Sequence, residues 1–480
     1  MRIGLIGSSL VAMSLMLSTC GSAEQNAAQP ANVTVPDQPQ WSEANAGQLR
    51  AAIAHRATHG LDRMKFGSAA DPGAPLDDAK LTELALTYAG ALARGATDPS
   101  KLFAIYSLPR PQPDLRKGLA DALKAGNVGA WIESLAPQDD NYRKLSAAYL
   151  ALIKQGGGGA AAISPTDTLL KPGMSDPRVP AIAAQLVAFG YLDAGTHGRR
   201  YTAAMARAVQ QMQADYGIRP DGVIGGDTLQ ILNLSGADRA RAIAVNMERM
   251  RWLQRDPPAT RIDVNIAAAR LTYWRDGEIA DTRKVVVGKP DTATPQLGSP
   301  IVSLVANPTW TIPRSIERKE IAGKGAGYLR RHNMVWKNGR IVQQSGPDNS
   351  LGLVKFDMQN PHAIYLHDTP AKQLFDAIER QRSHGCVRVD DALGFAEMLA
   401  GDEGVLDQWQ EASATDKESF VKLPHAIPVR LLYQTVLFDA QGEPVTRSDP
   451  YGWNDRVAKA LGFDVGGGRR VMNSYTDIAP

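Results

Sequence analysis

The hexapeptide Ser383-His384-Gly385-Cys386-Val387-Arg388 places a thiol directly after a glycine, among polar and basic side chains. A cysteine attacks a carbonyl carbon usefully only as its thiolate, so it requires a base or a positive surrounding. Two histidines are candidate bases. His384 stands two residues before Cys386, where a tight turn would aim its ring away from the sulfur. His367 ends the apolar run Ala363-Ile364-Tyr365-Leu366, which reads as a strand, and strand ends are where rigid scaffolds present catalytic groups. Gly385 lets the backbone turn sharply and approach a substrate, so the N–H groups of Gly385 and Cys386 are candidate oxyanion donors. Ser383 is expected to hydrogen-bond within the loop or to the His367 ring. Arg388 either holds the loop through a carboxylate or binds a substrate carboxylate. The chemistry in view is nucleophilic acyl transfer.

The cysteine count sharpens this. The 480 residues hold two cysteines, and the other, Cys20, closes a segment with targeting features. Arg2 supplies a positive end, and residues 3–17 form an apolar stretch shorter than the ~20 residues of a membrane span. Leu17-Ser18-Thr19-Cys20 resembles a bacterial lipobox, which would make Cys20 a lipidated N-terminus and give the protein a membrane anchor. Thr19 departs from the Gly, Ala or Ser usual there, and cleavage after Gly21-Ser22-Ala23 is the alternative. Either route leaves Cys386 as the sole thiol of an exported, periplasmic chain, without a disulfide partner. Residues 21–40, rich in Ala, Gln and Pro, read as a disordered tether. No Cys/His spacing suits zinc, and His55 and His59, four apart, lack further ligands, so no metal or organic cofactor is expected. A net charge of +3 without a basic run argues against nucleic acid as a partner.

The elements that must position Cys386 are strands. From Arg261 onward Ile262, Val264 and Ile266 alternate, and residues 271–274, a turn at Asp276-Gly277 and residues 284–287 read as a hairpin. Further strands are predicted at 301–305, 363–366 and 429–436, with helices at 371–380 and 390–399 flanking the cysteine motif. Upstream the texture is helical. Residues 41–155 carry apolar residues at helical spacing, as in 78–93 and 114–123, and 156–159 is a run of glycines suited to a linker. In 176–234, Val179, Ile182, Leu186 and Phe189 share one helical face, as do Met205, Val209, Met212 and Tyr216. The turn Asp221-Gly222-Val223-Ile224-Gly225-Gly226-Asp227-Thr228 follows, with Asp227 or Thr228 suited to a helix start. The expected fold class is therefore α+β and multidomain: a helical domain over 41–155, a three-helix unit over 176–234, a β-rich catalytic domain with peripheral helices over 260–436, and an extension over 437–480.

These blocks carry a resemblance. Ala208-Val209-Gln210-Gln211-Met212-Gln213 followed by the Asp221-Gly222 turn resembles the peptidoglycan-binding module. His367-x15-Ser383-His384-Gly385-Cys386-x-Arg388 resembles the signature of L,D-transpeptidases. The stretches Asn307-Pro308-Thr309-Trp310-Thr311-Ile312-Pro313, Gly346-Pro347-x-Asn349-Ser350-Leu351-Gly352, Lys355-Phe356 and Ile364-Tyr365-Leu366-His367-Asp368-Thr369-Pro370 are similar to their large periplasmic subfamily. Tyr142-x-x-Leu145 in the helical segment resembles that subfamily's scaffold domain.

The resemblance implies that Cys386 attacks a tetrapeptide stem at the L-centre of diaminopimelate, expelling D-alanine, and that a second stem's side-chain amine resolves the thioester into a 3→3 cross-link. It implies His367 as acid and base, Tyr365 near the oxyanion, Trp310 and Asn349 in substrate binding or loop positioning, and acylation by carbapenems. Residues 314–350 fall where the subfamily carries a lid-like insertion, with Gly323, Gly325 and Gly327 at its flexible beginning and Tyr328 and Trp336 candidates to face substrate. Three alternatives stand beside this reading. The same fold could hydrolyse the thioester as a carboxypeptidase or wall-lipoprotein amidase, the chain could be a non-catalytic wall-binding lipoprotein, or it could be a papain-like protease. The last conflicts with the order of residues, since His367 precedes Cys386.

Overall fold

A computed structural model describes residues 40–67, 77–156, 162–164, 168–195, 198–439 and 441–465. The expected signal segment with Cys20, the tether and most of the glycine linker lie outside these described residues. From Arg261 the chain forms β1 (Arg261–Asn265), β2 (Arg270–Arg275), β3 (Glu278–Gly288), β4 (Ile301–Ala306), β5 (Trp310–Thr311), β6 (Met334–Lys337), β7 (Arg340–Gln343) and β8 (Val354–Met358). There follow β9 (Leu366–His367), β10 (Gln381–Ser383), β11 (Val387–Val389), β12 (Ser419–Ile427), β13 (Val429–Leu432), β14 (Val436–Phe438) and β15 (Pro444–Thr446).

The main sheet runs β12-β4-β8-β9-β11-β3-β2-β1-β13, and β10 adds to β3 beside β11. Its alternating residues explain it: Ile262, Val264, Leu271, Val285, Val287, Leu304, Phe356, Leu366, Val387 and Val389 fill one continuous core with the helix Ala392–Asp402. The β2–β3 connection has Asp276 at φ 51° and Gly277 at φ 92°, the pair of left-handed residues that a two-residue hairpin turn requires.

The helical half is held by caps and a buried ionic cluster. Ser42, Asp77, Asp114 and Asp139 each accept a backbone N–H at a helix start. Helix Gly236–Trp252, between the units expected from the sequence, packs on helix Asp140–Lys154 and on the C-terminal helix Asn454–Ala460. From it the fully buried Glu248 pairs with Arg251 at 2.7 Å and accepts the backbone N–H groups of Ala96 and Thr97 and the Trp252 indole N–H. Arg251 in turn donates to Tyr142 Oη and the His59 carbonyl. His55 and His59 do not share a helical face: the helix Glu43–Ala54 ends before them, and His59 is spent on Tyr142 and Glu133.

In the three-helix unit, Gln213 explains the motif. Its Oε1 accepts the Gly222 N–H, and its Nε2 donates to Val223 O and Thr228 Oγ1, clamping the turn to helix Ala203–Tyr216. Neither Asp227 nor Thr228 starts the next helix. Gly225 is the cap of Gly226–Leu232, and Thr228 is a buried residue of that helix's first turn.

Three other expectations are corrected. The stretch 371–380 is not a helix: a single 3₁₀ turn, Lys372–Asp376, tucks Leu374 and Phe375 against Val286, after which the chain runs out to β10 on β3. The run 363–366 is a strand only from Leu366, because Ala363 sits in the left-handed region at φ 53°. The stretch 429–436 divides: β13 ends at Leu432, and Val436 begins a separate hairpin with β15.

Breaking the ionic cluster is expected to unfold this half first. Glu248→Ala strands a buried guanidinium and several donors, and thermal or denaturant unfolding should show a loss of about 3–5 kcal/mol.

Candidate active site

The pairing of β9 with its two neighbours assembles the site. β9 lies parallel to β11 with His367 opposite Arg388 and Leu366 opposite Val387, and antiparallel to β8 with Lys355 opposite His367. Residues in register share a face, and the face alternates along each strand. Phe356, Leu366 and Val387 therefore point into the core, and Lys355, His367 and Arg388 form a row on the other side. One period back, Tyr365 and Cys386 return to that same side, and the Val387 N–H bonding to the Tyr365 carbonyl at 3.0 Å continues the register. Tyr365, His367, Cys386 and Arg388 accordingly line one cleft of about 360 Å³.

The His367 tautomer follows from its partner. Nδ1 lies 2.5 Å from the Asp368 carbonyl oxygen, which can only accept, so Nδ1 carries the proton and Nε2 is left as the basic atom. Burial, then Arg388, then Lys355 hold the imidazole down to about 3, against the pull of the Asp368 carbonyl. Cys386 is half-buried. Its thiol is pushed up by burial and drawn back by the Tyr365 backbone N–H and hydroxyl, and more weakly by Lys355 and Arg388. Both shifts favour the uncharged forms, a neutral thiol and a neutral imidazole, over an ion pair. The Cys386 thiol donates to the carbonyl of Ala363 at 3.6 Å, and Ala363 itself sits in the left-handed region at φ 53°.

The motif loop is braced from within. Ser383 Oγ donates to the Cys386 carbonyl at 2.6 Å and accepts the Gly385 N–H at 3.1 Å, so Ser383 serves the loop and not the His367 ring. This corrects the expectation for Gly385: its N–H is engaged by Ser383, and what the glycine supplies is φ 120°, a conformation other residues rarely adopt. His384 lines the same cleft. Its Nε2 lies 2.6 Å from Glu320 of the insertion, without the angle of a good hydrogen bond, and burial lowers its pKa against Glu320's pull.

Trp310 forms one wall. Its buried indole N–H has no partner in good hydrogen-bond geometry, yet it lies near enough to the Tyr365 hydroxyl to oppose the burial that raises that group well above its usual range. Asn349 does not line the cleft. It donates to the Pro308 and Gln344 carbonyls and accepts the Leu351 N–H, holding the loop that presents Ser350 and Leu351.

The insertion is ordered around its own core of Ile312, Ile316, Ile321, Met334 and Ile341, closed by the β5-β7-β6 sheet. Ser315, Ile316, Lys319 and Glu320 line the cleft, whereas Tyr328 packs on His332 and Trp336 faces solvent. Lys355, Asp368 and Thr294 were not singled out from the sequence. Lys355 stood in a quoted motif, but its place in the cationic row depends on strand pairing. Among the described residues no cluster of His, Cys, Asp or Glu is arranged to hold a metal ion.

Residues 259–417 match the family model of the L,D-transpeptidase catalytic domain, residues 36–148 a scaffold domain, and residues 175–232 the model described as "Putative peptidoglycan binding domain". Residues 259–417 thus carry an L,D-transpeptidase catalytic domain, preceded by the scaffold and peptidoglycan-binding matches. A curated Haemophilus influenzae protein named "Putative L,D-transpeptidase" is 29% identical over 243 residues, covering 45% of this chain and 48% of that protein. The chain thus spans about half the length of this relative. Among solved structures, an L,D-transpeptidase from Mycobacterium smegmatis matches 36% of this chain and 58% of its own at 14% identity and TM-score 0.22. The catalytic domain of the E. faecium enzyme, solved acylated by ertapenem, matches 37% and 99% at 14% and 0.20. At such scores these two likenesses carry no argument.

The neutral resting pair has a pH signature. Alkylation of Cys386 by iodoacetamide should climb steadily above neutral pH, with no plateau on the acid side, and no acid limb from His367 should appear between about pH 5 and 7. A flat rate extending below about pH 5 would instead indicate a thiolate–imidazolium pair.

Proposed function

We propose that this protein is a peptidoglycan L,D-transpeptidase in which Cys386 forms a thioester with a donor stem peptide and a second stem's amine resolves it as a 3→3 cross-link. The observation that carries the reading is the shared face of β9 and β11: it sets a half-buried thiol and an imidazole of defined tautomer in one cleft, within a domain of this family. Sγ attacks the carbonyl carbon of the diaminopimelate L-centre as His367 Nε2 takes its proton. The tetrahedral oxyanion collapses, and the imidazolium returns the proton to the departing D-alanine amine. In the second half His367 deprotonates the acceptor amine, which displaces the thiolate. The Tyr365 hydroxyl, held beside the sulfur and kept protonated by burial, is a donor near the developing charge.

The pairing of a scaffold and a peptidoglycan-binding unit with this domain supports an extracytoplasmic site of action, and lipidation at Cys20 would add a membrane anchor. Purified protein given tetrapeptide muropeptides should yield dimers by mass spectrometry, and Cys386→Ala should abolish both the dimers and the mass gain with a carbapenem. Shortened monomers without dimers would assign hydrolysis in place of cross-linking. Tyr365→Phe should slow acylation by at least about tenfold while leaving the fold intact.

A further inference from the structure

Behind the motif loop runs a hydrogen-bond relay that begins in the C-terminal extension. Tyr451 Oη donates to the Gly288 carbonyl and accepts the Thr294 N–H at 3.3 Å. The Gly288 N–H donates to Thr294 Oγ1 at 2.8 Å, and Thr294 Oγ1 lies 2.8 Å from the Gly385 carbonyl oxygen. A hydroxyl has one proton. Because Gly288 already donates to Thr294, the Thr294 proton is directed to Gly385. Thr294 is fully buried, Tyr451 is buried in a stack with Tyr433, and Gly288 approaches so closely that a Cβ there would meet the Thr292 carbonyl at 2.1 Å. The relay has no room to rearrange.

Its consequence falls on the next peptide bond. In a trans peptide the N–H points opposite to the C=O. Anchoring the Gly385 carbonyl to Thr294, on the buried side, turns the Cys386 N–H to the opposite side. At φ 120° Gly385 is conformationally free enough for that peptide to flip, so it requires an external anchor. With the Gly385 N–H engaged by Ser383, the Cys386 N–H is the backbone donor of the motif turned away from the relay.

We infer that Thr294, itself held by Tyr451, is a positioning residue that aims the Cys386 N–H at the oxyanion of the acyl-transfer intermediate. This rests on the acyltransferase reading above and deepens it, and it gives the 437–480 extension a part in the chemistry.

The test uses the full chain with Thr294→Val, Thr294→Ser and Tyr451→Phe, and two readouts: saturable acylation by imipenem followed by intact mass, and iodoacetamide alkylation of Cys386. Alkylation needs the thiol but no oxyanion donor. Thr294→Val should lower the maximal acylation rate on the order of 10²-fold, leaving the half-saturating concentration and the alkylation pH profile within about twofold. Thr294→Ser should recover most of the rate, and Tyr451→Phe should fall between. Unchanged acylation in Thr294→Val overturns the inference, as does a matching loss of alkylation, which would mean a collapsed site. Wild-type protein that acylates but forms no muropeptide dimers would sink the cross-linking reading alone, and the comparison of Thr294 variants would still decide the role of the relay.

Discussion

Everything chemical in this protein depends on two short strands lying parallel. β9 contributes two residues and β11 three, yet their register puts His367 opposite Arg388 and brings Tyr365 and Cys386 onto the same face. A shift of one residue would exchange that face with the core face, sending His367 inward and Leu366 into the cleft. The register is specified by burial: Phe356, Leu366 and Val387 are fully buried on the other side, and a slip of β9 would turn Leu366 out of that core. Hydrophobic packing below the sheet thereby sets the geometry of the cleft above it.

The same row of residues tunes the chemistry. Lys355 and Arg388 flank His367 because they occupy its register positions on both neighbouring strands, and burial first, then these two cations, lower the imidazole pKa. The imidazole keeps one unprotonated nitrogen, while burial pushes the Cys386 thiol up. The Asp368 carbonyl decides which nitrogen that is. The insertion completes the enclosure through Glu320 and Lys319, on a small core that lets it stand over the cleft as an ordered body.

Much of the candidate site was legible because a thiol, an imidazole and a turn glycine are recognised by residue type. Cys386, His367 and the loop-bracing Ser383 lie in the cleft motif as their spacing implied. The roles of Gly385 and Asn349 were less legible, since whether an N–H faces substrate or a neighbouring hydroxyl depends on contacts two or more residues away. Helix 371–380 failed for a related reason: its apolar spacing fits a helix, but Leu374 and Phe375 gain more by covering Val286, and the following backbone finds partners on β3.

By itself the sequence determined the chemical groups and the classes of element: a thiol behind a glycine, a histidine at a strand end, alternating strands, capped helices, and the Gln213 and Asp221-Gly222 pattern of the three-helix unit. These follow from local bonding rules that act over a few residues. Only the tertiary structure decided which nitrogen of His367 is basic, which cations surround it, which part of the insertion meets the cleft, and that Tyr451 and Thr294 stand behind Gly385. Those depend on register and on pairings across 91 and 157 residues of chain, and long-range pairings are chosen by how the whole core packs.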